Sequence, residues 1–206
     1  MKGLLLKDFY VAKRNFAWFA LVIAGMLIMS CLEEDMQIFL IYPMVVSNVI
    51  PVSLMAYDEH DKWEQYSGTL PYTRAQLVTG KYLVGLCLGG AFFLLSMAVA
   101  AVRMEIYGSF SLEAWMRMGV ILLTIGCLAP VLILPVVFKL GAEKGRIFYL
   151  AILGVICGVM VGLDVSGISL SVAQSLWSLV AVLGVVVAVY ALSWRLSIRF
   201  YQKREL

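Results

Sequence analysis

Charge is scarce in this chain. Only 14% of its 206 residues are Asp, Glu, Lys or Arg, where a soluble domain carries about a quarter. Histidine occurs once, at His60, and the four cysteines (Cys31, Cys87, Cys127 and Cys157) lie in or at the edge of apolar stretches with no paired spacing. They read as small buried hydrophobes, not as a disulfide framework or metal site. There is no HExxH, no Cys/His cluster and no GxSxG, so the familiar zinc-site and serine-hydrolase signatures are excluded. The lone Gly-Lys pair, Gly80-Lys81, has Ala75 and Tyr82 where a phosphate-binding loop needs Gly and Ser or Thr. No catalytic residue, no metal ligand and no cofactor held by this chain are therefore expected.

What the chain has instead is apolar length. It is 63% hydrophobic, with a mean hydropathy of +0.94. So much apolar surface cannot be hidden in a water-soluble core of this size, so the bilayer is its solvent. A helix needs roughly 20 apolar residues to cross the hydrocarbon. Six such segments are predicted, at Phe16–Leu32, Met36–Ala56, Tyr82–Val102, Met118–Phe138, Ile147–Leu163 and Val172–Trp194. The alternation of a membrane β-barrel is missing, and lipid leaves backbone amides no partner outside a helix. The expected fold is an all-α integral membrane protein, one domain over residues 1–206. A faint lipoprotein-signal likeness in "LIMSC", ending at Cys31, is read as part of the first span, because the basic residues lie too deep and five spans follow.

Lys and Arg set the orientation. With the N-terminus inside, all sixteen except Arg103 and Arg117 fall on the cytoplasmic side, a strong positive-inside bias. Both termini are expected in the cytoplasm of a multi-pass protein. The net charge of +3 then reflects topology, and no nucleic-acid partner is expected. The middles of the spans hold no Asp, Glu, Lys, Arg or His, which argues against ion-driven transport and against acid–base chemistry in the membrane.

Two polar handles remain. In "MKGLLLKDFYVAKRNF", Leu5, Phe9, Ala12 and Phe16 form one stripe opposite Lys7 and Arg14. Residues 1–15 are predicted to be an interfacial helix resting on anionic headgroups, with Lys7, Asp8, Phe9 and Arg14 as its marked residues. The second handle, residues 57–81, joins spans two and three. Thr73 stands three residues before Gln76, the spacing of a capping box, and Leu70-Pro71 breaks the segment before it. Exposed Trp63, Tyr66, Leu70 and Tyr72 among charges read as a contact surface for a partner, or else as aromatics resting at the membrane interface.

Together these handles resemble the small ABC-2 type permease family, the membrane subunits of bacterial ABC transporters. The resemblance rests on Lys7-Asp8, Asp58-Glu59, Lys62-Trp63, Leu70-Pro71, Thr73-Arg74 and Lys81-Tyr82, in that order. It implies a permease subunit of an ATP-driven exporter in the bacterial plasma membrane. A second permease subunit would complete the path, and separate ABC ATPase subunits would bind ATP and Mg. Residues 57–81 would contain the coupling helix that meets the ATPase, with Asp58, Glu59, Lys62, Trp63, Glu64, Tyr66, Leu70, Pro71 and Arg74 as the contact. The implied cargo is an amphipathic or antimicrobial peptide or a hydrophobic drug. A non-transporting adaptor or immunity-type membrane protein, and an integral-membrane enzyme, are the alternatives.

Glycine adds one more expectation. Gly154, Gly158 and Gly162 form a small-residue stripe at four-residue spacing, and Gly85 and Gly89 form a shorter one. Such stripes let helices approach closely, either within the chain or across a dimer interface. Pro43, Pro51, Pro130 and Pro135 are expected to kink spans two and four and to free backbone carbonyls.

Overall fold

The computed structural model describes residues 2–32, 34–67, 72–141, 147–148, 151, 154 and 176–203. Helix α1 runs over Lys2–Ser30, followed by a 3-10 stretch over Glu34–Ile41. Then come α2 (Tyr42–His60), the short α3 (Trp63–Ser67), α4 (Arg74–Ile106), α5 (Leu112–Leu140) and α6 (Leu176–Lys203). No strand occurs among the described residues.

Local chemistry sets several of these boundaries. The Thr73 side chain accepts from the Gln76 amide while Gln76 accepts from the Thr73 amide, so the capping box exists and starts α4. Ser111 caps α5 by accepting from the Ala114 amide. Gly108 and Gly141 take positive φ after α4 and α5, a conformation glycine adopts without steric cost. Pro43 stands in the first turn of α2, where a missing N–H costs nothing. It does not kink a helix there, because the residues before it are 3-10. Pro51 lies inside α2, and Pro130 and Pro135 lie inside α5.

Among the described residues, four helices are long and apolar enough to cross a membrane: Ile38–His60, Arg74–Ile106, Leu112–Lys139 and Val180–Gln202. A fifth is reached if bent α1 counts as one span, its parts Gly3–Arg14 and Trp18–Ser30 meeting at 67°. Five of the six predicted segments thus fall on helix where they are described, the last of them from residue 176 on, and the fifth, Ile147–Leu163, lies outside the described residues except at 147–148, 151 and 154. With 33 residues, α4 is about 50 Å long, more than the hydrocarbon needs. Its first turns extend the span into the polar segment.

Helix α2 is central, packing on α1, α4 and α5, while α6 lies against α5 and α4. A Cβ at Gly85 would meet the Pro51 ring at 3.2 Å, and one at Gly89 would stand 3.8 Å from Ser47 Oγ. This shorter glycine stripe therefore serves packing of α4 on α2 within the chain. Near one end, Val52, Met55, Val78, Tyr82, Ile133, Leu134, Val137, Phe138 and Tyr201 form a core shared by α2, α4, α5 and α6. Toward the other end Ile23, Leu27, Leu40, Val46 and Ala100 form a second core.

The two ends of α4 are each fastened to the C-terminus of a neighbour. Arg103 is buried rather than in an exposed loop, and its Nε donates to the Ser30 carbonyl at the end of α1, 2.8 Å away. Tyr107 donates to the Cys31 carbonyl beside it, at 3.2 Å. At the opposite end, Arg74 donates from Nη1 to the carbonyls of Gln202 and Tyr201 in the last turn of α6, at 3.0 and 3.4 Å. Helix C-termini leave four carbonyls without intrahelical donors, and cations are favourable there.

Candidate functional site

Where α1, α2 and α4 converge, four charged side chains form a closed ring. Lys7 Nζ lies 2.5 Å from Asp58 Oδ1, Asp58 Oδ2 lies 2.6 Å from Lys81 Nζ, and Lys81 Nζ lies 2.8 Å from Asp8 Oδ1. The longest edge, 3.6 Å, closes the ring between Asp8 and Lys7, neighbours on the same helix. The signs alternate, so the ring is neutral. Asp8, Lys81 and Asp58 are nearly or mostly buried, and Lys7 is half-buried. Buried charge survives only when paired in this way. The Trp63 ring covers Lys7, whose ammonium stands 4.0 Å from its centroid, an attractive arrangement for a cation on an indole face. A cavity of about 40 Å³, room for a few waters at most, borders the ring and reaches Leu4, Gly80 and Tyr201.

The ring corrects the sequence reading of the N-terminal helix. The line α1 buries is Leu4, Asp8 and Ala12, while Leu6, Phe9 and Tyr10 are exposed. Phe9 and Ala12 therefore belong to different faces, and Lys7 points into the protein instead of toward headgroups. Asp8, with Lys7 and Lys81 as partners, lies on the inward face, and the apolar Leu6, Phe9 and Tyr10 lie on the outward one. Lys13 and Arg14 are exposed, beside the apolar Leu6, Phe9 and Tyr10.

The polar handle between the spans is a helix, a corner and a short helix. α2 continues through Asp58 and Glu59 to His60, and the chain then turns at Lys62, the one non-glycine residue with positive φ (54°) among the described residues. α3 follows immediately, its Trp63 and Tyr66 rings 5.3 Å apart. Asp58 and Arg74, both expected in a partner contact, are engaged within the chain, with Lys7 and Lys81 and with the end of α6. Glu59 and Trp63 are half-buried; Lys62 and Tyr66 are exposed. Glu64 lies in α3 with its side chain outside the described residues, and Leu70, Pro71, Gly158 and Gly162 lie outside them altogether. Gly154 is exposed, with open space around its Cα.

Lys81 is the residue that sequence reasoning left out of the site. A signal was present: it is a lone lysine at the threshold of a span, opposite two aspartates also at span edges. The arrangement has no free nucleophile or base poised over a pocket. Among the described residues, no group of three or more His, Cys, Asp or Glu is placed to hold a metal. The site is a charge-paired joint between helices, with an exposed aromatic and polar corner attached.

A bundle of long apolar helices, with charge gathered in a paired cluster at one end, defines a multi-pass helical membrane protein. The chain belongs to the ABC-2 family of transporter proteins, whose family model matches residues 3–202. That family supplies the membrane component of a transporter, not a catalytic subunit, and its members generally partner with ATPase subunits. Comparison with curated proteins and with solved structures gave no match.

Proposed function

We propose that this chain is the permease subunit of an ATP-driven exporter in a bacterial plasma membrane, both termini in the cytoplasm. Separate ATPase subunits bind ATP and Mg, and a second permease subunit, identical or paralogous, completes the path. Gly154, Gly158 and Gly162 are the proposed contact between the two. The cargo class is amphipathic or antimicrobial peptides or hydrophobic drugs. The observation that carries this reading is the family match over almost the whole chain. Gly80-Lys81 lies in no phosphate-binding loop, which fits a motor on separate ATPase subunits.

The proposed ATPase contact is the corner between α2 and α4. Glu59, Lys62, Trp63, Glu64, Tyr66 and the Leu70-Pro71 segment are its proposed outer surface, and Asp58 and Arg74 hold that surface in place from within. The α1 segment before the bend is the proposed interfacial helix, with Leu6, Phe9 and Tyr10 against lipid and Lys13 and Arg14 among headgroups.

Co-purification with the ATPase, followed by ATP hydrolysis of the reconstituted complex, tests the reading. The isolated chain is expected to bind no nucleotide at micromolar concentration. Trp63→Ala is expected to weaken assembly by about 2 kcal/mol, as a lost aromatic anchor does. A complex that forms and hydrolyses ATP equally well with Trp63→Ala and Tyr66→Ala would place the contact elsewhere.

A further inference from the structure

We propose that the Lys7–Asp58–Lys81–Asp8 ring makes the N-terminal segment of α1 move as one body with the corner at the end of α2 when the ATPase acts. This rests on the reading above that the corner meets the ATPase. Three of the four edges cross between helices. Asp58, at the end of α2, holds both lysines; Lys81, in α4, holds both aspartates; and Lys7 and Asp8 share the inward side of α1. The corner therefore cannot shift relative to the N-terminal segment without separating mostly buried charges. Water would not quickly replace those partners, because the neighbouring cavity measures only about 40 Å³ and Trp63 lies over the ring's most exposed member. Beyond the ring, α1 bends by 67° between Arg14 and Trp18. The N-terminal segment thus points away from the rest of α1 and is joined to the corner directly by Lys7–Asp58 and indirectly through Lys81. Lys81 and Asp8 are positioning residues in this scheme. They touch neither cargo nor nucleotide, and act by carrying displacement of the corner into a helix that lies along the membrane surface.

The test uses the full permease–ATPase complex in lipid nanodiscs, native cysteines replaced by alanine. Spin labels go on exposed Lys13 in α1, His60 at the corner and Arg199 in α6, and distances are read in pairs with and without ATP and vanadate. In the otherwise native ring, the His60–Arg199 and Lys13–Arg199 distances are expected to shift together while Lys13–His60 stays constant. With Lys7→Met and Lys81→Met together, which removes every edge between α1 and the corner, the His60–Arg199 shift is expected to remain and the Lys13–Arg199 shift to vanish. The fourfold inversion Lys7→Asp, Asp8→Lys, Asp58→Lys and Lys81→Asp keeps the alternation and one long arm on each edge, and is expected to restore it. A Lys13–His60 distance that changes with ATP and vanadate in the native ring would overturn the proposal without any variant having to fold. So would a Lys13 shift that survives the Lys7→Met and Lys81→Met pair. Either result leaves the ATPase contact standing. A corner that never moves, in a complex whose ATPase fails to co-purify, overturns the functional reading and this inference with it.

Discussion

Ser193 donates its hydroxyl proton to the carbonyl of Val131, 2.7 Å away across the α5–α6 packing. That carbonyl lacks its usual helical partner because the residue four positions on is Pro135, which has no N–H. With the Ser193 proton used there, the remaining bonds acquire a direction. Tyr82 lies 2.8 Å from Ser193 and 2.7 Å from Ser197. Tyr82 must donate to Ser193, and Ser197 must donate to Tyr82. A short proton-ordered chain thus joins α4, α5 and α6, and it begins at a carbonyl that proline set free.

This ordering predicts unequal effects along one chain. Ser193→Ala leaves the Val131 carbonyl without a donor in an apolar setting, and is expected to cost about 1–3 kcal/mol of stability. Tyr82→Phe leaves Ser193 bonded to Val131 and lets Ser197 turn back to its own helix. Its cost is expected to stay below about 1 kcal/mol, as for most side-chain hydrogen bonds between membrane helices. Unfolding in mixed micelles at increasing SDS checks the order. Equal losses would mean that the chain is not directed as described.

Arg74 gives a local prediction. In the first turn of α4 a cation is unfavourable to its own helix, but the carbonyls of Tyr201 and Gln202 at the end of α6 receive it. Arg74→Ala is expected to fray the last turn of α6, raising hydrogen exchange about fivefold over residues 198–203, which corresponds to roughly 1 kcal/mol. Unchanged exchange there, together with lost ATPase binding, would mean that Arg74 faces the partner and not the α6 terminus.

The fold was legible where sequence signals are local or follow from length. Spans two, three and four, and the Thr73 cap, each depend on a run of residues or on a pair three apart. The 3-10 start before Tyr42 was not legible, since it differs from α-helix only in hydrogen-bond spacing. In the candidate site, Lys7, Asp8, Asp58 and Arg74 were marked but given outward roles. Their true neighbours are Lys81 and the α6 carbonyls, 73 residues from Asp8 and 127 or more from Arg74. No periodicity encodes such a meeting. The apolar stripe expected on α1 grouped Phe9 with Ala12, whereas Ala12 is buried beside Asp8 and Phe9 is exposed.

Lys62 carries the backbone strain of the corner. Its φ of 54° lies in the left-handed region, which costs a non-glycine residue about 1–2 kcal/mol. Lys62→Gly removes that cost but adds about 0.5–1 kcal/mol of unfolded-chain entropy. The expected net change is small, neutral to slightly stabilising. Lys62→Val keeps the strain and adds β-branching, and is expected to lose at least about 1 kcal/mol. Thermal unfolding of the two variants in one detergent decides this. If Lys62→Gly is clearly worse than Lys62→Val, the lysine ammonium, and not the backbone, is what matters at the corner.

The charge ring makes the sharpest prediction because its parts are not additive. Lys81→Met leaves Asp8 and Asp58 facing the single cation Lys7, all of them more than half buried. Removing one member of a buried pair leaves an unbalanced charge, and about 3 kcal/mol of stability is expected to go. Lys81→Met combined with Asp8→Leu removes one charge of each sign. The Lys7–Asp58 pair survives, the cluster is neutral again, and the introduced leucine side chain continues the buried line of Leu4 and Ala12. The double variant is therefore expected to be more stable than Lys81→Met alone, with a coupling of about 1–3 kcal/mol between the two positions. Asp8→Leu alone is expected to be destabilising too, since Lys7 and Lys81 would then share one carboxylate. A double-mutant cycle by SDS titration in mixed micelles measures all three. Strictly additive losses would mean that water already screens the ring, and that these four charges act one by one rather than as a closed unit.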